Sequence, residues 1–235
     1  MRYMVVFKYD GSKFYGFQRQ NNVRNVQGYL EDTLSKVLNE NIIIKGSGRT
    51  DRGVHANYQV AHFDTDKSIK DLKNKLNNLL YDLKILKIRK VNDNFHARYS
   101  VKNKTYIYKL DLSKKRDCNY YGIVNNKLDI KKIKEASKVF IGTHNFKNFV
   151  SGKRIDYTGT IFNIKIYKFN NILYFKFKGI GFFRYMVRNL VGALIEIGKN
   201  KIDKEVLKEM LDNPETEKRL PTSSPNGLYL HKINY

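Results

Sequence analysis

Alternating apolar positions open the chain: Tyr3, Val5, Phe7 and Tyr9 fall on one side of a predicted strand. Val26, Leu30, Leu34, Val37 and Leu38 then recur at helical spacing, with Asn25 placed to cap that helix. Strands are predicted from Ile42 to Gly46 and from Tyr58 to Phe63. A second helix is predicted from Ser68, where Asp71 three residues on makes a variant capping box and Leu72, Leu76, Leu79 and Leu80 form the apolar stripe. A strand from Ile85 to Val91 completes this set.

The same order of elements returns downstream. Tyr106, Tyr108, Leu110 and Leu112 alternate as a strand, and Asp129 can cap a helix carrying Ile130, Ile133 and Phe140. Runs Ile161–Phe169 and Ile172–Phe177 flank Asn170-Asn171, the composition of a two-residue hairpin turn. A long helix is predicted from Phe182 to Ile197 with Gly198 just beyond its end. An amphipathic helix bearing Val206, Leu207, Met210 and Leu211 follows, then a strand from Leu228 to Ile233. Each half thus reads strand-helix-strand-strand-helix-strand, the split βαβ (ferredoxin-like) pattern. The predicted class is α+β, with halves at residues 1–100 and 101–235 joining antiparallel sheets around a central cleft. Lys114 to Asn126 is polar and irregular, and is predicted to be a surface loop.

Composition narrows the function classes. The 235 residues carry 45 Lys plus Arg against 22 Asp plus Glu, a formal net charge of +23, which points to a nucleic-acid partner. A genome-wide bias toward Lys, Asn and Ile is the competing explanation of that excess. Cys118 is the single cysteine, so no intrachain disulfide is available. One Cys and five His show no metal-ligand spacing, and no metal or cofactor is expected. The segment Gly11–Gly16 lacks the Gly-Lys-Ser/Thr ending of a phosphate-binding loop. The opening residues run straight into Lys8 and Asp10, unlike a signal peptide, and no apolar run approaches the roughly 20 residues of a membrane span, so a cytoplasmic protein is expected.

Three places carry candidate chemistry. Gly48-Arg49-Thr50-Asp51-Arg52-Gly53 sets one carboxylate between two guanidinium groups, which favours its ionised form and suits a nucleophile, base or electrostatic stabiliser. A turn-capping or surface-paired Asp is the plainer alternative. Tyr99, Tyr106 and Tyr108 interleave with Arg98, Lys102, Lys104 and Lys109, as a base-stacking and phosphate-holding surface requires. Ordinary sheet packing explains the same alternation. Arg184 and Arg188 lie four apart on the predicted long helix, where a buried guanidinium needs a carboxylate. Asp51 is one candidate partner, and Glu196 or a bound phosphate is the other.

Taken in order, these motifs resemble the TruA-type tRNA pseudouridine synthase family. Tyr9-Asp10-Gly11 with Gly16-Phe17-Gln18-Arg19-Gln20, the Gly48–Ala56 stretch, Gln59-Val60 with His62-Phe63, and Phe95-His96-Ala97-Arg98 all resemble its motifs. So do Gly142–Phe146, Met186–Gly192 and Gly227–Leu230. The resemblance implies isomerisation of uridine to pseudouridine in the anticodon stem-loop of tRNA, without cofactor or metal, by a homodimer with a basic cleft. It implies Asp51 as the catalytic aspartate and Arg188 as the arginine paired with it. It also implies Tyr106 as the ring packing on the target base, Arg49 as an aid to extruding the nucleotide, and Leu228 as an apolar wall. Two departures stand near this inferred pocket. Arg52 occupies a position where the family has a small residue, adding a guanidinium able to hold phosphate, and Ser223–Asn226 replaces the usual Ala-Pro. A paralogue acting on ribosomal RNA, a non-catalytic RNA-binding protein and a ribosome-associated structural protein are the alternatives. Only the first of these gives the Asp51 cluster a purpose.

Overall fold

The computed structural model describes residues 1–124, 127–216 and 218–235, and divides into two compact units. The first comprises Met1–Lys102 and Tyr229–Tyr235, the second Asn103–Leu228. Both are α+β. No helix among the described residues is long and apolar enough to cross a membrane.

In the first unit, β1 (Arg2–Tyr9), α1 (Val26–Leu38), β2 (Lys45–Gly46), β3 (His55–Asp64), α2 (Leu72–Leu79) and β4 (Leu83–Lys90) follow the split βαβ order. The strand β1 sits between β3 and β4 and runs antiparallel to both, with Val5 opposite Ala61 and Ile88. The helix α1 begins where predicted because Asn25 accepts the Gly28 N–H at 2.8 Å, satisfying an orphan donor of the first turn. Val26, Leu30, Leu34 and Leu38 bury its apolar stripe. The predicted Ile42–Gly46 strand contracts to two paired residues, since Ile42 N–H and Ile44 N–H are taken by the side chains of Ser35 and Glu31 rather than by a neighbouring strand. The capping box at Ser68 does not form. The helix starts at Leu72, and Asp71 precedes it in a left-handed conformation (φ 57°) without a side-chain cap bond.

The second unit holds β5 (Asn103–Asp111), β6 (Gly122–Ile123), α3 (Ile130–Ser137), β7 (Gly142–Asn145), β8 (Thr158–Phe169), β9 (Ile172–Gly179), α4 (Met186–Gly198) and α5 (Lys204–Asp212). Its strands lie in the order β5-β9-β8-β7. Asn170 and Asn171 both have positive φ, 47° and 60°, as the tight β8–β9 hairpin demands. Within the predicted Lys114–Asn126 loop, β6 pairs in parallel with β5; Asn125 and Asn126, at that loop's end, lie outside the described residues. The strand β10 (Leu228–Asn234) ends the chain, pairing Tyr229 and Leu230 with His55 and Ala56.

The long helix differs from its prediction at both ends. Tyr185 adopts φ 62°, so the helix begins at Met186 and Arg184 precedes it. Gly198 is its last residue rather than the one beyond. A Cβ there would lie 2.5 Å from Ile133 Cδ1, so glycine serves the close approach of α3, and Asn200 (φ 57°) makes the left-handed turn.

Candidate functional site

The Asp51 loop is held from three directions within the first unit. Beneath it, the Tyr9 hydroxyl meets Thr50 Oγ1 at 2.8 Å in a buried contact. Burial pushes the Tyr9 phenol up to about 12. Alongside, Phe17 N–H donates to Thr50 O at 3.0 Å, and Gly16, at φ 92°, comes so close that a Cβ would lie 3.0 Å from the same oxygen. Beyond it, Gly11 packs against Val54, where a Cβ would fall 2.1 Å from the carbonyl oxygen, and Gly11 N–H donates to His55 Nδ1 at 3.0 Å. The loop then closes on itself by Val54 N–H to Asp51 O at 3.1 Å, with Gly53 at φ 81°. The turn that carries Asp51 is thus braced against β1 and the Gly16–Phe17 backbone rather than left free.

The Gly16–Gln20 segment is itself anchored to α1. Glu31, 5% exposed, accepts from Arg19 Nε at 2.9 Å, Gln27 Nε2 at 2.9 Å and Ile44 N–H at 3.0 Å. Its partners satisfy a carboxylate that would otherwise be costly to bury. Asp51 is half-buried, while Arg49 and Arg52 are exposed. The Arg52 guanidinium lies 4.1 Å above the ring of Tyr15, the residue before that segment, a cation–π contact that gives the extra arginine a seat.

In the second unit, Arg188 sits in the first turn of α4. Its Nε donates to Ser223 O at 2.9 Å, and its guanidinium lies 4.6 Å over the Tyr185 ring. Ser223 returns two bonds to Arg188 O, from its hydroxyl at 2.9 Å and its N–H at 3.2 Å. Glu196, the alternative partner, pairs instead with Lys199 at 2.8 Å and Lys201 at 3.4 Å. The Pro221–Ser223 segment reaches the helix because Gly192 has no side chain; a Cβ there would lie 1.8 Å from Pro221 O. Leu228, 5% exposed, opens β10.

Tyr106 is 9% exposed and meets Phe182 edge-on at 5.2 Å. Tyr108, on the same strand face, is 1% exposed and packs on Phe175, so of the two it is plain core. Burial pushes its phenol up to about 12, against the opposing effects of its Ser223 hydrogen bond and the Arg188 charge. Tyr99 is the exposed member of the predicted set, at 76%, with Arg98 5.6 Å over its ring. The predicted residues therefore fall into two groups, Arg49, Asp51 and Arg52 in the first unit and Tyr106, Arg188 and Leu228 in the second. Spacing alone did not reveal Tyr9, Thr50 and Ser223 as supports. Their signal was membership of the strand pattern and of the motif segments, not any chemical type.

Comparison with known proteins agrees with the motifs. The family model described as tRNA pseudouridine synthase matches residues 5–100 and 136–235. The protein of Streptococcus uberis named tRNA pseudouridine synthase A is 39% identical over 247 residues, covering 100% of this chain and 98% of its own. The protein of the same name from Thermodesulfovibrio yellowstonii is 37% identical over 249 residues, covering 98% of each. Among solved structures, an H/ACA RNP bound to a substrate RNA containing 2′-deoxyuridine aligns with a TM-score of 0.41 at 14% identity, over 83% of this chain and 44% of that one. At 39% identity along its whole length, and with the family model matched in both units, the chain belongs to the tRNA pseudouridine synthase family.

Proposed function

We propose that this protein isomerises uridine to pseudouridine in tRNA, at the anticodon stem-loop, with Asp51 as the catalytic carboxylate. The observation that carries the reading is full-length similarity to proteins named tRNA pseudouridine synthase A, together with an Asp51 loop whose backbone is braced on β1 and on the Gly16–Gln20 segment. The reaction breaks the N1–C1′ bond, turns the base, joins C5 to the same C1′, releases the C5 proton and leaves N1 carrying a proton taken up from solvent. Its atoms balance without a co-reactant. Asp51 serves as nucleophile at C1′ or as the base that deprotonates the ribose, and Arg188 is assigned as the guanidinium that holds it ionised. Tyr106 is assigned to the face of the target base, and Leu228 to the pocket wall. Arg49 and Arg52 are assigned to phosphate and to the extruded strand.

A base in a stack must first be swung out, which costs a few kcal/mol. The excess of 45 Lys plus Arg over 22 acidic residues supplies phosphate contacts to offset that cost, and makes binding salt-sensitive. We assign the Asp51 loop to the half spanning residues 1–100 and the stacking strand and arginine helix to residues 101–235. The protein is expected to act in the cytoplasm as a homodimer. Release of tritium from C5-labelled uridine in an anticodon stem-loop tests the reaction. The expected result is release by the wild type and none by Asp51→Asn, with RNA binding retained. Turnover by Asp51→Asn removes the carboxylate from the chemistry.

A further inference from the structure

A cavity of about 370 Å³ opens in the second unit between the Asn148–Gly152 loop, the start of α4 and the Arg219–Thr222 segment. Its volume is in the range of small-ligand sites and suits a nucleotide. Among the described residues, no carboxylate lines it. Arg219, exposed, uses Nη1 on Lys147 O at 3.1 Å, and the rest of its planar fork has the form that grips phosphate. The walls are fixed. Asn189 donates to Phe149 O at 2.9 Å and accepts from the Thr222 hydroxyl at 2.7 Å.

Two further features of the lining point to a ligand. Asn148 is 3% exposed, and its Nδ2 donates to Met210 O at 2.8 Å and Asn213 O at 3.2 Å, yet its Oδ1 has no partner among the described residues. A buried acceptor left without a donor is unfavourable, and a nucleobase N–H meets it once the cavity wall adjusts to admit the ring. Tyr185 holds a left-handed backbone, φ 62°, that a bulky residue rarely adopts, with Arg184 at 5.0 Å and Arg188 at 4.6 Å over its ring. Thr222 in the cavity wall is followed by Ser223, whose carbonyl holds Arg188. The cavity and the seat of Arg188 are therefore built from the same two segments.

We propose that this cavity is a subsite for the nucleotide next to the target uridine, its phosphate on Arg219 and its base in the space bordered by Asn148, Tyr185, Asn189 and Thr222. The inference rests on the proposed function, and a binding measurement separates the two. Full-length Asp51→Asn protein, with and without Arg219→Ala, is titrated by fluorescence anisotropy against an anticodon stem-loop hairpin. A set of hairpins made abasic at single nucleotides flanking the target is titrated in parallel. Arg219 is exposed, so its replacement leaves the fold intact, which circular dichroism checks. The expected result is about a tenfold loss of affinity for one flanking abasic hairpin, and a similar loss with Arg219→Ala. The two losses should be strongly non-additive when combined. Losses that simply multiply, or affinity indifferent to every flanking base, overturn the subsite. Tritium release by the wild type from the intact hairpin reads the reaction separately. Its absence beside a non-additive binding cycle would defeat the catalytic reading and leave the subsite standing.

Discussion

Acid should loosen this protein through His62. The side chain lies on β3 and is 1% exposed. Its Nδ1 accepts the Ala97 N–H at 3.1 Å, so the neutral ring carries its proton on Nε2, which has no hydrogen-bond partner among the described residues. The ring stands edge-on to His96 at 4.8 Å and to Phe95 at 6.1 Å. Protonation would set a second N–H against the Ala97 donor at a buried position. Burial foremost, then the nearby Arg2 charge, lowers the His62 pKa to about 4. Because the folded pKa lies below the unfolded value of roughly 6.5, the unfolded chain takes up the proton first as pH falls. The stabilising contribution is complete above about pH 6.5 and is lost progressively toward pH 4. At 1.36 kcal/mol per unit, that loss is about 3 kcal/mol, a large share of the 5–15 kcal/mol typical of a folded domain. Urea midpoints measured from pH 7 to 4.5 should fall for the wild type and fall much less for His62→Gln, whose Oε1 can still accept from Ala97. His96, also lowered by burial, titrates in both proteins, so the difference isolates His62. Parallel curves for the two proteins would refute the reasoning.

Tyr9→Phe removes the 2.8 Å bond to Thr50 and leaves a buried hydroxyl unsatisfied, so it should cost about 1–3 kcal/mol in urea unfolding and lower kcat more than it raises KM. Adding Thr50→Val should restore stability but not kcat, since both polar partners are then gone. At the alkaline end, Tyr9 and Tyr108, both raised to about 12, stabilise fully below pH 10 and lose that contribution as pH rises to 12, about 2–3 kcal/mol each. A spectrophotometric titration should show these two phenols ionising only with unfolding. Gly192→Ala places a methyl 1.8 Å from Pro221 O and should displace the segment that holds Arg188, with a clear fall in melting temperature and in tritium release. Unchanged activity in that variant would show that Ser223 does not position Arg188.

The order of the longer elements, though not the short strands β6 and β7, was legible, as were the Asn25 cap, the Asn170-Asn171 hairpin and the apolar stripes of α1 and α5, because each depends on neighbours a few residues apart. So was the Asp51 cluster, whose residue types are adjacent in the chain. The misjudged boundaries involve competition from distant groups. The Ile42–Gly46 strand contracted because Ser35 and Glu31 captured its N–H donors, and α4 started late because Tyr185 turned left-handed. Gly198 read as a helix stop, yet Ile133 explains it. What the chain by itself determined was therefore its α+β class, its charge and its family motifs, all of which follow from local periodicity and residue type. Only the tertiary structure decided that Tyr9 supports Thr50, that Ser223 clamps Arg188 and that His62 receives Ala97. Those bonds join residues from 35 to 41 positions apart, and no sequence period encodes which buried donor meets which acceptor.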